Sequence, residues 1–85
     1  MQLKKKASAG TLQSNDCFIT IKPDEESKIN LESPVKFEFG EQIEDLVKKT
    51  LKTYEIDKAS VLIEDRGALD CTIEARLKTA IRRAK

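Results

Sequence analysis

The spacing of apolar residues along the chain limits the folds that this sequence can form. Two runs, residues 17–22 and residues 28–32, place apolar side chains at every second position. A period of two is typical of a strand with one buried face. Residues 23–27 between the runs contain proline and acidic residues, which interrupt a strand and favour a turn. The pattern predicts two strands joined as a hairpin, and a lone hairpin needs a cover over its apolar face.

After the second run the apolar spacing lengthens to three and four residues, which indicates one face of a helix. This stripe comprises Phe39, Ile43, Leu46, Val47, Leu51 and Tyr54. The start of the helix is ambiguous. Ser33 and Pro34 suit an N-cap and a first helical position, whereas Val35, Phe37 and Phe39 alternate as they would in a strand. We favour the early helical start.

A third strand and a second helix complete the pattern. Val61 and Ile63 alternate with their neighbours, residues 65–67 predict a turn, and Asp70 is a candidate N-cap. The second helical stripe comprises Ile73, Leu77, Ala80, Ile81 and Ala84. The order strand, strand, helix, strand, helix predicts an α+β sandwich of two layers. We expect a three-stranded, mainly antiparallel sheet with both helices on one face, the first strand in the centre and the third beside it.

Residues 1–16 differ from the rest of the chain. Apart from a basic tip at residues 4–6, nearly every residue of the stretch from Ala7 to Asp16 is small or polar. Such a stretch has little apolar surface to bury. We therefore predict a flexible N-terminal arm over residues 1–16 and one α+β domain over residues 17–85, because a chain of 85 residues can build only one core.

Composition excludes several classes of function. Sixteen basic and fifteen acidic residues nearly cancel, which gives no general attraction to nucleic acid or to a membrane surface. The chain has no histidine, so a serine has no such base beside it to act as an unaided nucleophile. Cys17 and Cys71 are predicted to be small core residues, with a single disulfide or a redox role as the alternatives. No apolar run predicts a membrane span or a secretion signal, so we expect a cytoplasmic protein.

Two blocks of sequence carry a resemblance to a known family. The first is Ala9-Gly10-Thr11-Leu12-Gln13-Ser14-Asn15-Asp16, and the second is Asp65-Arg66-Gly67-Ala68-Leu69-Asp70-Cys71-Thr72-Ile73-Glu74-Ala75-Arg76. Together they resemble the two signatures of the citrate lyase acyl carrier protein, the gamma chain of that lyase. Their order and separation also fit, so the resemblance covers essentially the whole chain.

The resemblance implies a non-catalytic carrier subunit. In the family, the serine that matches Ser14 holds a covalent group, 2'-(5''-phosphoribosyl)-3'-dephospho-coenzyme A, through a phosphodiester. The thiol of that group carries acetyl and citryl groups while citrate is cleaved to acetate and oxaloacetate. The implied partners are the alpha and beta subunits of the lyase, a prosthetic-group transferase and an acetylating ligase, with no nucleic acid, membrane or metal.

Alternatives to this interpretation remain. A carrier subunit of malonate decarboxylase has the same kind of group, although the two blocks match the citrate lyase carrier more closely. A non-covalent adaptor could bind an acidic partner through the basic residues of the second helix, Arg76, Arg82 and Arg83, which we also consider as a docking surface of a carrier. The same charges would complement the helix dipole. A third alternative is a small enzyme that uses Cys17 or Cys71.

Overall fold

The computed structural model describes residues 2–34 and 36–85. The elements in chain order are β1 (Ala7–Gly10), β2 (Cys17–Pro23), β3 (Lys28–Glu32), α1 (Lys36–Thr53), β4 (Ala59–Asp65) and α2 (Asp70–Ala84). The expectations for Met1, in the predicted arm, and for Val35, in the ambiguous start of the first helix, lie outside the described residues.

The strands form one mixed sheet of four strands in the order β1-β2-β4-β3. Strand β2 runs antiparallel to both β1 and β4, whereas β3 runs parallel to β4. The predicted central position of β2, with β4 beside it, is confirmed. The predicted hairpin of β2 and β3 is wrong, because the two strands lie on opposite sides of β4. A parallel pair needs a long crossover, and α1 supplies it between β3 and β4.

The fourth strand, β1, corrects the expectation of a three-stranded sheet and of a flexible arm over residues 7–10. Its small residues pair with residues 18–21 of β2, with Ala9 opposite Ile19. Helix α2 packs across β1 and β2, and Ala9 is buried beneath it. Small side chains have weak strand propensity, but they let a helix approach the sheet closely. Before β1, Leu3 is buried as well, and the amides of Lys4 and Lys5 donate to the Ala84 carbonyl.

Both helices lie on one face of the sheet, as predicted. Buried and less buried residues alternate along β2 and β4, while α2 packs on β1 and β2, and α1 packs on β3 and α2. The predicted stripe of α2 is buried throughout, at Ile73, Leu77, Ala80, Ile81 and Ala84. The stripe of α1 is buried at Ile43, Val47 and Leu51. Phe39 is half exposed, so its predicted place in the core is wrong.

The helix starts differ slightly from the expectations. Helix α1 is described from Lys36 onward, close to the early start that Ser33 and Pro34 favoured. Helix α2 has Leu69 at its N-cap, with Asp70 as its first residue and no capping hydrogen bond from a side chain. Instead, the Asp70 carboxylate accepts a hydrogen bond from Gln42 Nε2 of α1 at 3.0 Å. None of the helices in the described ranges is both long and apolar enough to cross a membrane.

Candidate functional site at the Ser14 loop

Ser14 lies in the loop of residues 11–16, which joins β1 to β2. Its side chain is exposed. The Thr11 amide donates to the Cys17 carbonyl at 3.1 Å, and the Asp16 amide donates to the Gln13 carbonyl at 3.2 Å. Asn15 adopts a positive φ of 66°, a left-handed conformation that asparagine tolerates better than most residues. The loop is therefore a defined turn that holds Ser14 at its outer side.

The Asp16 carboxylate organises this turn from within. Its Oδ2 atom accepts a hydrogen bond from Thr11 Oγ1 at 2.7 Å, and its Oδ1 atom accepts one from the Cys17 amide at 2.7 Å. Thr11 Oγ1 in turn accepts from the Gln13 amide at 3.2 Å. One carboxylate thus connects both ends of the loop and leaves the outward-facing Ser14 outside this network.

The structure joins the two sequence blocks that lie far apart in the chain. Arg76 of α2 donates from Nε to Asp16 Oδ1 at 3.1 Å and from its terminal nitrogen to Oδ2 at 2.9 Å, which is a bidentate ion pair. The Asn15 amide donates to the Arg66 carbonyl at 2.7 Å, and the Arg66 amide donates to the Asp16 carbonyl at 2.9 Å. The Ser14 loop is therefore anchored to both the β4–α2 turn and helix α2.

A second carboxylate shapes the β4–α2 turn. Asp65 is buried, and its Oδ1 atom accepts hydrogen bonds from the Gly67 amide at 3.1 Å and the Ala68 amide at 2.8 Å. Its Oδ2 atom accepts from Ser33 Oγ at 2.7 Å. A buried carboxylate needs such partners to offset the loss of water. Asp65 fixes the turn on which the Ser14 loop rests.

Two of the three arginines predicted for docking make hydrogen bonds within the domain. Arg76 is engaged with Asp16, and Arg83 donates to the Ser8 carbonyl at 2.9 Å. Arg82 is exposed. Sequence reasoning did not single out Asp16 or Asp65 as organisers of the site. Asp16 and Asp65 belong to the two blocks that carry the resemblance. The first block ends in an acidic residue and the second in the basic Arg76, and these opposite charges were the signal that the two blocks contact each other.

Comparisons with known proteins agree with the resemblance. A family model for acyl carrier proteins, described as malonate decarboxylase delta subunit, matches residues 4–84. The citrate lyase acyl carrier protein of Treponema denticola is 52% identical over 84 residues, which is 99% of this chain and 97% of that protein. The protein of the same name from Clostridium perfringens is 45% identical, over 99% of this chain and 85% of that protein. The chain belongs to the citrate lyase acyl carrier protein family.

The fold of this family member also resembles a solved structure. A crystal structure of a protein from Thermus thermophilus superposes with a TM-score of 0.67 over 96% of this chain, at 14% sequence identity. The match spans only 16% of that longer chain. At this identity the likeness concerns the fold alone.

The two cysteines of this acyl carrier have different environments. Cys17 is buried, as predicted, whereas Cys71 is exposed, so the prediction of a core position for Cys71 is wrong. Burial, and after it the nearby carboxylates of Asp16 and Asp65, raise the pKa of the Cys17 thiol from 9.0 to about 11. A thiol with so high a pKa carries almost no thiolate at neutral pH, and the thiolate is the reactive form.

Native alkylation should distinguish the two thiols. We expect iodoacetamide at mildly alkaline pH to add one group to the apo chain, on Cys71, and a second group only after denaturation. Intact mass followed by peptide mapping measures both steps. Rapid native labelling of Cys17 would contradict its burial, and it would revive the alternative of an enzyme that uses this thiol.

The Asp16–Arg76 ion pair should make stability depend on pH in the acid range. Hydrogen bonds from Arg76, then from Thr11 and the Cys17 amide, lower the pKa of Asp16 from 3.8 to about 2. Because the folded pKa is the lower one, Asp16 stabilises the fold above the unfolded pKa and loses this contribution as pH falls toward 2. Urea unfolding should therefore show Asp16→Asn less stable than the wild type near pH 5. The difference should shrink below about pH 4, and a constant difference down to pH 2 would contradict the prediction.

Proposed function

We propose that this chain serves citrate lyase as its acyl carrier and that Ser14 is the residue to which the prosthetic group is attached. The observation that supports this assignment is the exposed hydroxyl of Ser14 on an ordered loop, within the block that resembles the family's attachment signature. The group we propose is 2'-(5''-phosphoribosyl)-3'-dephospho-coenzyme A, in phosphodiester linkage. When bound, it supplies a thiol that holds acetyl or citryl groups during cleavage of citrate.

The residues around Ser14 fit this group. The Asp16 side chain faces Arg76, Thr11 and the Cys17 amide, so it leaves the outer side of the loop open for a nucleotide-sized substituent. Attachment forms a bond between Ser14 Oγ and phosphorus, while the hydroxyl loses its proton and the donor loses its leaving group. Asp16 is a poor base for that proton, because its pKa is lowered to about 2. A separate transferase must therefore supply the base.

The domain contributes position rather than bond chemistry. The anchored loop tethers the attached thiol to the folded domain. Because the thiol is tethered, its effective concentration at the partner active sites is high. The partners we propose are the alpha and beta subunits of the lyase, the transferase and the acetylating ligase, in the cytoplasm. Malonate decarboxylase is the second candidate, because the matching family model is described by its delta subunit.

Intact mass of the chain purified from its native cell tests the assignment. We expect a single adduct of the mass of the group, located on the peptide that contains Ser14. Loaded chain added to lyase subunits that lack their own carrier should restore citrate cleavage. An unmodified mass would contradict the carrier assignment, and restoration of malonate decarboxylation instead would favour the second candidate.

A further inference from the structure

The described part of the chain leaves a small set of large hydrophobic side chains exposed. Phe37 is fully exposed, and the exposed fractions of Leu12, Phe39 and Leu69 are 52%, 50% and 71%. Exposed apolar side chains that gather in one place mark an interaction surface more often than scattered ones do. Whether these residues mark an interaction surface therefore depends on whether they lie close together in the fold.

All of these residues lie at one end of the sheet. Cys17 at the start of β2 pairs with Asp65 at the end of β4, and Glu32 at the end of β3 pairs with Glu64. The β1–β2 loop, the start of α1 and the start of α2 therefore share this end. Leu12 lies in that loop, Phe37 and Phe39 lie in the first turns of α1, and Leu69 directly precedes α2. We call this set of four residues the apolar end, and Ser14 belongs to the same end of the molecule.

A groove lies against two residues of the apolar end, Phe39 and Leu69, next to the turn that holds the Ser14 loop. They border an open groove of about 480 Å³, whose lining is partly apolar, with Ile43 and Ala68, and partly polar, with Gln42 and Asp70. The turn that carries Ala68 is the one that binds the Ser14 loop, through the hydrogen bond from the Asn15 amide to the Arg66 carbonyl. The apolar surface and the attachment loop are therefore neighbouring parts of one rigid region.

We propose that the apolar end is the surface through which this carrier docks on the catalytic protein subunit that acts on the cargo held at Ser14. The inference depends on the proposed function. Each transfer requires the group on Ser14 to enter an active site, so the protein around that active site covers the surface around Ser14. Its entrance should present apolar side chains to Leu12, Phe37 and Leu69.

Other occupants fit this end less well. A second copy of the chain packed here would cover Ser14 and prevent transfer. The phosphates and sugars of the prosthetic group do not complement the exposed apolar side chains of Phe37 and Leu69. The basic face of α2 has two of its three candidate arginines, Arg76 and Arg83, in contacts within the domain. That leaves Arg82 as the arginine against which the apolar end can be tested.

Cys71 provides a natural reporter of docking. It is exposed and borders the groove, whereas Cys17 is buried. Addition of the separate catalytic subunits to the loaded carrier should slow alkylation of Cys71, and peptide mapping separates this adduct from one on the attached thiol. The variant Phe37→Ser/Leu69→Ser should bind about tenfold more weakly or worse, because a few side chains that become fully buried on binding carry most of the affinity of an interface. Arg82→Ser is the matched control and should bind as the wild type does.

The outcomes separate this inference from the proposed function. Mass measurement first establishes that every variant carries the group on Ser14, and an unloaded wild type would contradict the proposed function itself. With loading established, wild-type affinity of the Phe37→Ser/Leu69→Ser variant would overturn the docking surface. Weaker binding of Arg82→Ser with unchanged binding of the apolar variant would assign docking to the basic helix instead. Failure of the loaded wild type to bind, or full reactivity of Cys71 in the complex, would also overturn it.

Discussion

Replacing Ser14 with alanine should abolish loading completely while the fold and its stability stay unchanged. The side chain is exposed, and no hydrogen bond within residues 2–34 and 36–85 depends on its hydroxyl. The neighbouring hydroxyl of Thr11 donates to Asp16 and cannot substitute for it without breaking the loop network. The variant should therefore have no nucleophile for the transferase. Intact mass after incubation with the transferase and its phosphoribosyl donor measures loading, and urea unfolding measures stability.

Ser27 provides the matched control for Ser14. It is an exposed serine on the turn between β2 and β3, at the opposite end of the sheet. Ser27→Ala should load to the same extent as the wild type. Two results would contradict the assignment of Ser14: an adduct that persists in Ser14→Ala, or loading that disappears in Ser27→Ala. A Ser14→Ala chain that fails to fold would show instead that the loop depends on a contact of this side chain.

The sequence predicts the elements of the core because their apolar periods are strong. Strands β2 and β4 and the buried stripe of α2 follow directly from periods of two and of three to four. Strand β1 escapes detection because alanine, serine and glycine provide neither branched side chains nor an apolar alternation. It forms because β2 offers a free edge and α2 covers it, and both are tertiary effects that a local pattern does not contain.

Pairing was harder to predict than the presence of strands. The turn after β2 has the composition of a hairpin turn, but β2 pairs instead with β1 and β4. β1 occupies one side of β2, and the seven paired positions with β4 on the other side give a longer match than the five-residue β3 could offer. β3 then pairs in parallel with the free side of β4, through the crossover that α1 provides. The order of strands in the sheet therefore depends on which strands compete for the edges of β2 and β4.

The resemblance predicts Ser14 as the attachment residue, which stays a prediction, but the sequence did not predict how the Ser14 loop is held in place. The resemblance indicated Ser14, and the two blocks of sequence that carry it also contain Asp16 and Arg76. Composition suggested a mobile segment because small and polar residues bury little surface. The structure fixes that segment by the bidentate pair of Asp16 with Arg76 and by backbone hydrogen bonds to Arg66. Partners that lie 60 positions apart in the chain cannot be assigned from local composition.

Replacing Gly10 with alanine should produce the largest loss of stability among single methyl additions to the glycines of this chain. Gly10 ends β1 with a φ of 101°, a conformation that residues with a Cβ atom rarely adopt. A Cβ atom there would overlap the backbone carbonyl oxygen of Cys17 and approach Arg76 Cδ to 3.3 Å. The same carbonyl accepts the Thr11 amide, so relief of the overlap must break the hydrogen bond that closes the Ser14 loop. We expect a loss of about 3 kcal/mol or more in the free energy of unfolding.

Gly40 makes this prediction specific, because the same change there should have the opposite sign. Gly40 lies inside α1, where an added Cβ atom would meet Lys36 Cγ at 3.4 Å and Leu31 Cδ2 at 3.9 Å, both ordinary contacts. Alanine is the better helix former by roughly 0.8–1 kcal/mol, so Gly40→Ala should stabilise the domain by up to about that amount. Urea unfolding of both variants provides the comparison. If Gly10→Ala were as stable as the wild type, the tight approach of β1 to Cys17 would be wrong. The anchored presentation of Ser14, which begins at that approach, would then have to be reconsidered.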